Sequence, residues 1–256
     1  MPHNRSMIPK VVAFDLDGTL SVSKSPVEAS MGELIAKLLE KTEVAIISGG
    51  KYGQFETQLF PALPPHERLD RLFLFPTSGA MCFRSVGGRW EKIYDHSFSP
   101  EERDHVMNVL KRSMEETGFA EPPTPVWGER IEDRGAQITF SALGQKAPPE
   151  AKAGWDTDKA KRTPLAAALT ARLPGFSIRM NAATSIDITR KGITKAYAVR
   201  KLAEITGIPI ADMLYVGDAL FPGGNDEIVK ETSIPTRQVQ DPTETAALIE
   251  ALLAAA

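Results

Sequence analysis

Short apolar segments alternate with amphipathic segments over the first third of the chain. Residues 11–14, 44–47 and 72–75 are short runs rich in β-branched, aliphatic and aromatic side chains, which is typical of strands buried on both faces of a sheet. Residues 31–41 and 52–59 lie between these runs and have helical character, with leucine and isoleucine at helical spacing in the first. This order predicts a parallel sheet covered by helices.

The middle of the chain has a different pattern. Residues 137–143, 176–180 and 185–188 alternate apolar with polar side chains, which indicates strands of an antiparallel sheet. Two helix-like segments, 100–117 and 159–173, separate them. The middle therefore predicts a second α/β unit.

The first pattern returns near the carboxyl end, with a helix at 194–206 and a strand at 213–216. We therefore predict one α/β domain interrupted by another. The expected boundaries are 7–84 and 189–256 for the parallel α/β domain and 85–188 for the insertion.

Charged and polar side chains follow the apolar strands. Asp15 and Asp17 follow the first strand, Ser48 and Gly49 the second, and Asp218 a late strand. Because ligands of open α/β sheets bind beyond the carboxyl ends of the strands, we expect these residues to converge. Taken singly, each residue also fits an ordinary turn, helix cap or solvated charge.

Two carboxylates aimed into one crevice require a cation or an unusual protonation state. Asp15 can attack phosphorus to give an aspartyl phosphate. Mg²⁺ fits the Asp15 and Asp218 carboxylates together with the backbone carbonyl of Asp17. We expect Asp17 to protonate the leaving oxygen and later to deprotonate water.

The remaining candidates would bind the phosphate. Lys195 opens a predicted helix and supplies a compact positive charge near the transferring oxygens. The Ser48 hydroxyl, with backbone N–H groups such as that of Gly49, can hold another phosphate oxygen. The predicted reaction class is phosphoryl transfer.

These motifs resemble the four motifs of the haloacid dehalogenase-like (HAD) phosphotransferases. The residues that carry the resemblance are Asp15-Leu16-Asp17-Gly18-Thr19-Leu20, Ser48, Lys195, and Gly217-Asp218 through Asn225-Asp226. The resemblance implies a Rossmann-like core with a parallel sheet and an inserted α/β cap domain with an antiparallel sheet. It also implies that Asn225 and Asp226 support the metal-binding motif.

Within that superfamily, the chain is most similar to eukaryotic-type phosphomannomutases. The Pro-Gly-Gly-Asn-Asp ending of the fourth motif, the segment 134–145 and Ser185-Ile186-Asp187 carry this likeness. It implies that Arg134, Ser185 and Asp187 bind the distal phosphate and sugar of a substrate.

The chain departs from this family at Gln145 and Lys152, which stand where the family has arginines. A charged hydrogen bond is worth about 1.5–3 kcal/mol, and lysine lacks the forked geometry of arginine. Weaker capture of a distal phosphate favours hydrolysis over isomerisation. We expect a phosphatase acting on a small phosphorylated metabolite, with a sugar phosphate as the favoured class; the alternatives are a hexose phosphomutase and a non-catalytic phosphosugar-binding protein.

Composition limits the partners. A net charge of −3 argues against nucleic-acid binding, and the sequence contains no run of about 18 apolar residues that would span a membrane. The single cysteine, Cys82, is expected to be a buried thiol and fits a cytoplasmic location. Pairing of two subunits through an exposed edge of the cap sheet would give a homodimer, and the sequence alone does not decide between monomer and dimer.

Overall fold

The computed structural model describes residues 8–22, 24–65, 67–180 and 183–255, and these form two compact units. The core unit contains the residues up to Asp95 and those from Ile193 onwards, and the inserted unit is His96–Gly192. The expected fold class is confirmed, because a mainly parallel sheet in one unit accompanies a separate antiparallel sheet in the other.

The strands, in chain order, are β1 (Val11–Phe14), β2 (Glu43–Ile47), β3 (Leu72–Phe75), β4 (Met81–Val86), β5 (Arg89–Asp95), β6 (Ile131–Asp133), β7 (Gln137–Ser141), β8 (Phe176–Arg179), β9 (Ser185–Arg190), β10 (Met213–Gly217) and β11 (Thr236–Gln238). The helices are α1 (Ala29–Lys41), α2 (Tyr52–Gln58), α3 (Pro100–Glu116), α4 (Pro149–Ala153), α5 (Thr163–Arg172), α6 (Lys195–Thr206) and α7 (Pro242–Ala254). Short 3-10 helices include Thr77–Gly79 and Glu227–Thr232. None of the helices described combines the length and apolar character required to cross a bilayer.

The core sheet has the strand order β11-β10-β1-β2-β3-β4-β5. The strands from β11 to β3 run parallel, and β4 and β5 form an antiparallel hairpin at one edge. β2 and β3 follow β1 in the chain and lie on one side of it in the sheet, whereas β10 comes later in the chain and lies on the other side of β1. The topological switch point, where ligands bind in such sheets, therefore lies between β1 and β10.

The unit boundaries differ from those expected at 84/85 and 188/189. They fall at 95/96 and 192/193, because the β4–β5 hairpin extends the core sheet and β9 continues to Arg190. Most residues of β5 are exposed or half-buried, so its sequence resembles the middle of the chain. Residue 7, the expected first residue of the core, lies outside the described residues.

Apolar packing holds the core sheet against its helices. Val11 and Ala13 of β1 belong to the same buried cluster as Ala198, Val199 and Leu202 of α6. Successive strand residues point to opposite faces, so Val12 and Phe14, which are also inaccessible, line the other face. Burial of an aliphatic or aromatic side chain contributes about 1.5–3 kcal/mol.

Cys82 lies in this core and is fully buried. Burial raises the pKa of its thiol to about 12. The thiol is therefore a small apolar packing element, as the sequence predicted.

The inserted unit contains a four-stranded antiparallel sheet of order β6-β7-β9-β8. One face of the sheet packs against α3 and α5 through a buried apolar cluster that includes Ile138, Phe140, Ile186, Leu110 and Leu165. The opposite face carries Gln137, Thr139 and Ser141 from β7, all of which are buried. Alternation along the strands thus separates an apolar face from a polar one.

A buried ion pair anchors the start of β9. The Arg162 guanidinium donates to Asp156 at 2.6 Å and to the carbonyl oxygen of Ser185 at 2.7 Å. The side chains of Arg162 and Asp156 are 1% and 0% exposed. Ser185, a candidate binding residue, is therefore held by a pair that the sequence did not reveal.

We predict that Asp156→Ala lowers the free energy of unfolding by about 3–5 kcal/mol, because it leaves a buried guanidinium without its charged partner. Urea denaturation followed by circular dichroism measures the change. The control is Asp158→Ala, which removes an exposed carboxylate from the same loop and should cost less than about 1 kcal/mol. Equal effects of the two changes would contradict the prediction.

Candidate active site

The strand register brings three predicted site residues to one edge of the core sheet. Phe14 pairs with Val216 on β10 and with Ile46 on β2, and the backbone N–H of Asp15 donates to the carbonyl of Val216 at 3.0 Å. Asp15, Ser48 and Asp218 each follow one of these neighbouring strands. They therefore line the same edge of the sheet.

Lys195 joins two carboxylates at this edge. Its Nζ donates to Asp15 Oδ1 at 2.5 Å and to Asp226 Oδ1 at 2.6 Å, and its side chain is 4% exposed. A cation in the first turn of a helix is opposed by the helix dipole, and burial without partners costs several kcal/mol more. The two carboxylates offset both costs.

Burial shifts the ionisation of this cluster. It raises the pKa of Asp15 to about 7, an effect that the Lys195 ammonium opposes and the Asp226 carboxylate reinforces. Burial and the nearby Asp226 carboxylate also raise the pKa of Asp218. Burial alone would lower the pKa of Lys195, but Asp15 and Asp226 raise it above its ordinary value. Lys195 is thus a permanent cation.

Asp226 is more central than the sequence analysis suggested. It is fully buried; Oδ1 accepts hydrogen bonds from Lys195 and from the Tyr215 hydroxyl, each at 2.6 Å, and Oδ2 accepts one from the backbone N–H of Ala219 at 3.1 Å. Its neighbour Asn225 is exposed. Tyr215 was missed, although a tyrosine in a buried strand indicates a partner for its hydroxyl.

Asp218 packs tightly against the first motif. The Thr19 hydroxyl donates to Asp218 Oδ1 at 3.3 Å and accepts from the backbone N–H of Asp218 at 3.0 Å. Gly18 has φ +87°, and a Cβ there would lie 2.7 Å from Asp218 Oδ2. Glycine is therefore required both by the backbone conformation and by the approaching carboxylate.

The acidic cluster suits a hard divalent cation. One oxygen from each of Asp15, Asp218 and Asp226 lies within 4.8 Å of the others. When ionised, three carboxylates outnumber the single Lys195 ammonium, and oxygen donors are the ligands that Mg²⁺ prefers. Within this group, Asp218 has the fewest strong donors bound to its carboxylate, since Lys195 occupies Asp15 and Asp226.

Asp17 lies outside that group of carboxylates. Its Oδ2 accepts a hydrogen bond from Gln54 Nε2 and its Oδ1 one from the backbone N–H of Lys24, both at 2.6 Å. The carboxylate is half-buried. Gln54 lies on α2 and was not predicted, because a neutral amide on a short helix carries no recognisable motif.

Hydrogen bonds connect the Ser48 turn to the turn after β3. Ser48 Oγ accepts from the backbone N–H of Gly50 at 3.0 Å, and the Ser48 carbonyl accepts from the N–H of Ser78 at 2.8 Å. Thr77 and Ser78 have φ +49° and +57°, which is unfavourable for residues with a side chain. Gly49, between Ser48 and Gly50, completes the turn that the sequence assigned to phosphate binding.

The other candidate binding residues lie in the inserted unit. Arg134 donates through Nε and Nη2 to Glu132 Oε2 at 3.0 and 2.8 Å. Asp187 Oδ1 accepts from the Thr139 hydroxyl at 2.7 Å. Ser185 is hydrogen-bonded to Ser141, with 2.8 Å between the two hydroxyl oxygens. These contacts, with Gln137 donating to Thr139 at 2.8 Å, form a continuous polar face.

Gln145 and Lys152 lie on other parts of the inserted unit. The backbone N–H of Gln145 donates to the carbonyl of Glu129 at 2.9 Å, which fixes the loop after β7. Lys152 belongs to the short helix α4. Both side chains are half-buried.

Comparison with known proteins gives the same family as the motifs. A model described as eukaryotic phosphomannomutase matches residues 31–255. A phosphomannomutase of Encephalitozoon cuniculi is 25% identical over 248 residues, covering 92% of this chain and 90% of that protein.

The solved structures that resemble this chain have low sequence identity to it, so they support its fold and nothing further. The IMP-nucleotidase of Plasmodium falciparum superposes with a TM-score of 0.71 and 14% identity, covering 98% of this chain and 70% of that one. A haloacid dehalogenase-like hydrolase from Bacteroides thetaiotaomicron gives a TM-score of 0.65 and 18% identity, covering 95% and 99%.

We predict that Tyr215→Phe lowers the free energy of unfolding by about 1.5–3 kcal/mol, because Asp226 loses a buried donor to its carboxylate. Chemical denaturation measures the loss. The matched control is Tyr94→Phe, which removes a hydroxyl that donates to the neutral carbonyl of Gly79 at 2.7 Å and should cost about 0.5–1.5 kcal/mol. A Tyr215→Phe variant as stable as the parent would refute the assignment.

Proposed function

We propose that this chain, which belongs to the eukaryotic phosphomannomutase family of the haloacid dehalogenase-like superfamily, is a Mg²⁺-dependent phosphatase. Its substrate is a small phosphorylated metabolite, with sugar phosphates as the favoured class. The observation that carries this proposal is the buried Lys195 ammonium between Asp15 and Asp226, beside Asp218, at the switch point.

The reaction has two steps. A carboxylate oxygen of Asp15 attacks phosphorus, the bond from phosphorus to the ester oxygen breaks, and Asp17 gives that oxygen a proton. Asp17 then takes a proton from water, whose oxygen attacks phosphorus and releases inorganic phosphate from Asp15. Asp15, Asp218 and the carbonyl of Asp17 would hold Mg²⁺, whose positive charge would offset the repulsion between the carboxylate nucleophile and the phosphate.

The phosphate is bound by the core unit in this proposal. Lys195 and the Ser48–Gly49 turn neutralise and orient the oxygens that do not react. The hydrogen bonds between the Ser48 turn and Ser78 are made within the protein, so the donors are organised before a substrate arrives. Preorganised donors lower the barrier because they need not reorient during the reaction.

Hydrolysis is favoured over isomerisation by the inserted unit. Arg134 is paired with Glu132, so a second phosphate would compete with a carboxylate for this guanidinium. Gln145 and Lys152 supply an amide and an ammonium in place of two forked guanidinium groups. The hydroxyl, amide and carboxylate groups of Gln137, Thr139, Asp187 and the two serines suit the hydroxyls of a neutral sugar.

We also propose a cytoplasmic location, which the buried thiol of Cys82 suits.

The second candidate is a hexose phosphomutase, favoured by the named activity of the Encephalitozoon relative. The test is to incubate the protein with Mg²⁺ and mannose 1-phosphate or glucose 1-phosphate, with and without a hexose bisphosphate. Inorganic phosphate and hexose 6-phosphate are followed together. We expect phosphate release without the activator; activator-dependent formation of the 6-phosphate would instead identify a mutase, and neither product a binding protein.

We predict that Asp15→Asn reduces turnover by a factor of about 10³ or more, as loss of a catalytic nucleophile typically does. The fold should persist, because Lys195 keeps its contact with Asp226; circular dichroism checks this. The control is Asp212→Asn, which removes an exposed carboxylate paired with Lys10 and should leave turnover unchanged. Full activity of Asp15→Asn would exclude Asp15 as the nucleophile.

A further inference from the structure

The Asp17 carboxylate is held on both of its oxygens. Gln54 Nε2 donates to Oδ2 and the backbone N–H of Lys24 donates to Oδ1, each at 2.6 Å. Two donors on opposite oxygens fix the plane of a carboxylate as well as its position. The orientation of Asp17 is therefore set by the protein rather than by solvent.

Gln54 reaches Asp17 because the preceding turn leaves room for its amide. A Cβ at Gly50 would lie 1.4 Å from Gln54 Oε1, so glycine at this position permits the observed rotamer. The N–H of Gly50 also donates to Ser48 Oγ. One turn thus organises a candidate phosphate-binding hydroxyl and the amide that contacts Asp17.

We propose that Gln54 is a positioning residue that aims the Asp17 carboxyl group at the leaving oxygen of the substrate. This inference rests on the proposed function, in which Asp17 delivers the proton. The Lys24 donor belongs to the backbone, so Gln54 is the side chain that aligns Asp17 in the contacts between described residues. An amide donates without adding charge, and it can hold the carboxyl group through a cycle of proton transfer.

The proposal has a kinetic signature that a structural role lacks. Protonation of the leaving oxygen is essential for an alkyl ester, whose alkoxide is strongly basic, and nearly dispensable for p-nitrophenyl phosphate, whose phenolate leaves unaided. Misalignment of Asp17 should therefore lower kcat/KM, which reports the first step, selectively for alkyl esters. The second step, in which Asp17 takes a proton from water, is the same for both esters and influences kcat alone. A general weakening of the fold would slow both substrates alike.

The test compares kcat/KM for glucose 1-phosphate and p-nitrophenyl phosphate, with Mg²⁺, in the parent and in Gln54→Met. Methionine has a similar length and cannot donate. We expect a loss of about 10- to 100-fold on the sugar ester, the scale of a misplaced catalytic group, and less than about 3-fold on the aryl ester. Glu56→Gln, an exposed change on the same helix, should alter neither rate.

Gly50→Ala provides a second variant that displaces the Gln54 amide and leaves residue 54 unchanged. Its Cβ would also lie 3.3 Å from Ser48 Oγ, so a loss common to both esters is expected in addition to the selective one. The double variant with Gln54→Met should be no more selective than Gln54→Met, because both changes remove the same contact to Asp17. Equal losses of kcat/KM on the two esters in Gln54→Met would overturn the assignment of Gln54 alone. A parent protein that hydrolyses neither ester would overturn the proposed function, and the inference with it.

Discussion

One buried ammonium group determines the arrangement of the candidate active site. The Nζ of Lys195 contacts carboxylates from the loops that follow β1 and β10, so it joins segments that are far apart in the chain. Its desolvation is tolerable only because Asp15 and Asp226 surround it, and those carboxylates are stable side by side only because it is there. Tyr215 and the N–H of Ala219 complete the ligation of Asp226. The charges are thus mutually dependent rather than separately placed.

Much of the fold could be predicted because the core strands are solid apolar runs. Val11–Phe14 and Leu72–Phe75 are buried throughout, and such runs are typical of strands covered on both faces in a parallel sheet. The β4–β5 hairpin was not predicted as part of the core sheet, because an edge strand can stay largely exposed and most residues of β5 are polar or charged. The three-residue strands β6 and β11 are too short to show a period.

The residues of the candidate site likewise include some that the sequence predicted and some that it did not. Residues placed by strand ends, such as Asp15 and Asp218, were found because topology alone brings strand ends together. Gln54 and Arg162 were not, since each acts through a contact with a residue distant in sequence that no motif records. The pairing of Arg134 with Glu132 was missed for a related reason. A basic side chain near an acidic one in a strand has several possible partners, and only the three-dimensional structure selects one.

The turn at Thr77–Ser78 has a consequence for thermal adaptation. Two successive left-handed residues with side chains are each unfavourable by about 1–3 kcal/mol, and the hydrogen bonds to Ser48 and Gly50 retain them in that conformation. Glycine at position 78 would relieve steric repulsion but would also enlarge the conformational freedom of the denatured chain. The residue at position 78 should therefore affect the thermal stability of homologous chains in two opposite ways. Glycine removes steric repulsion in the folded state but raises the entropy of the denatured chain, and neither effect depends on the packing of the sheet.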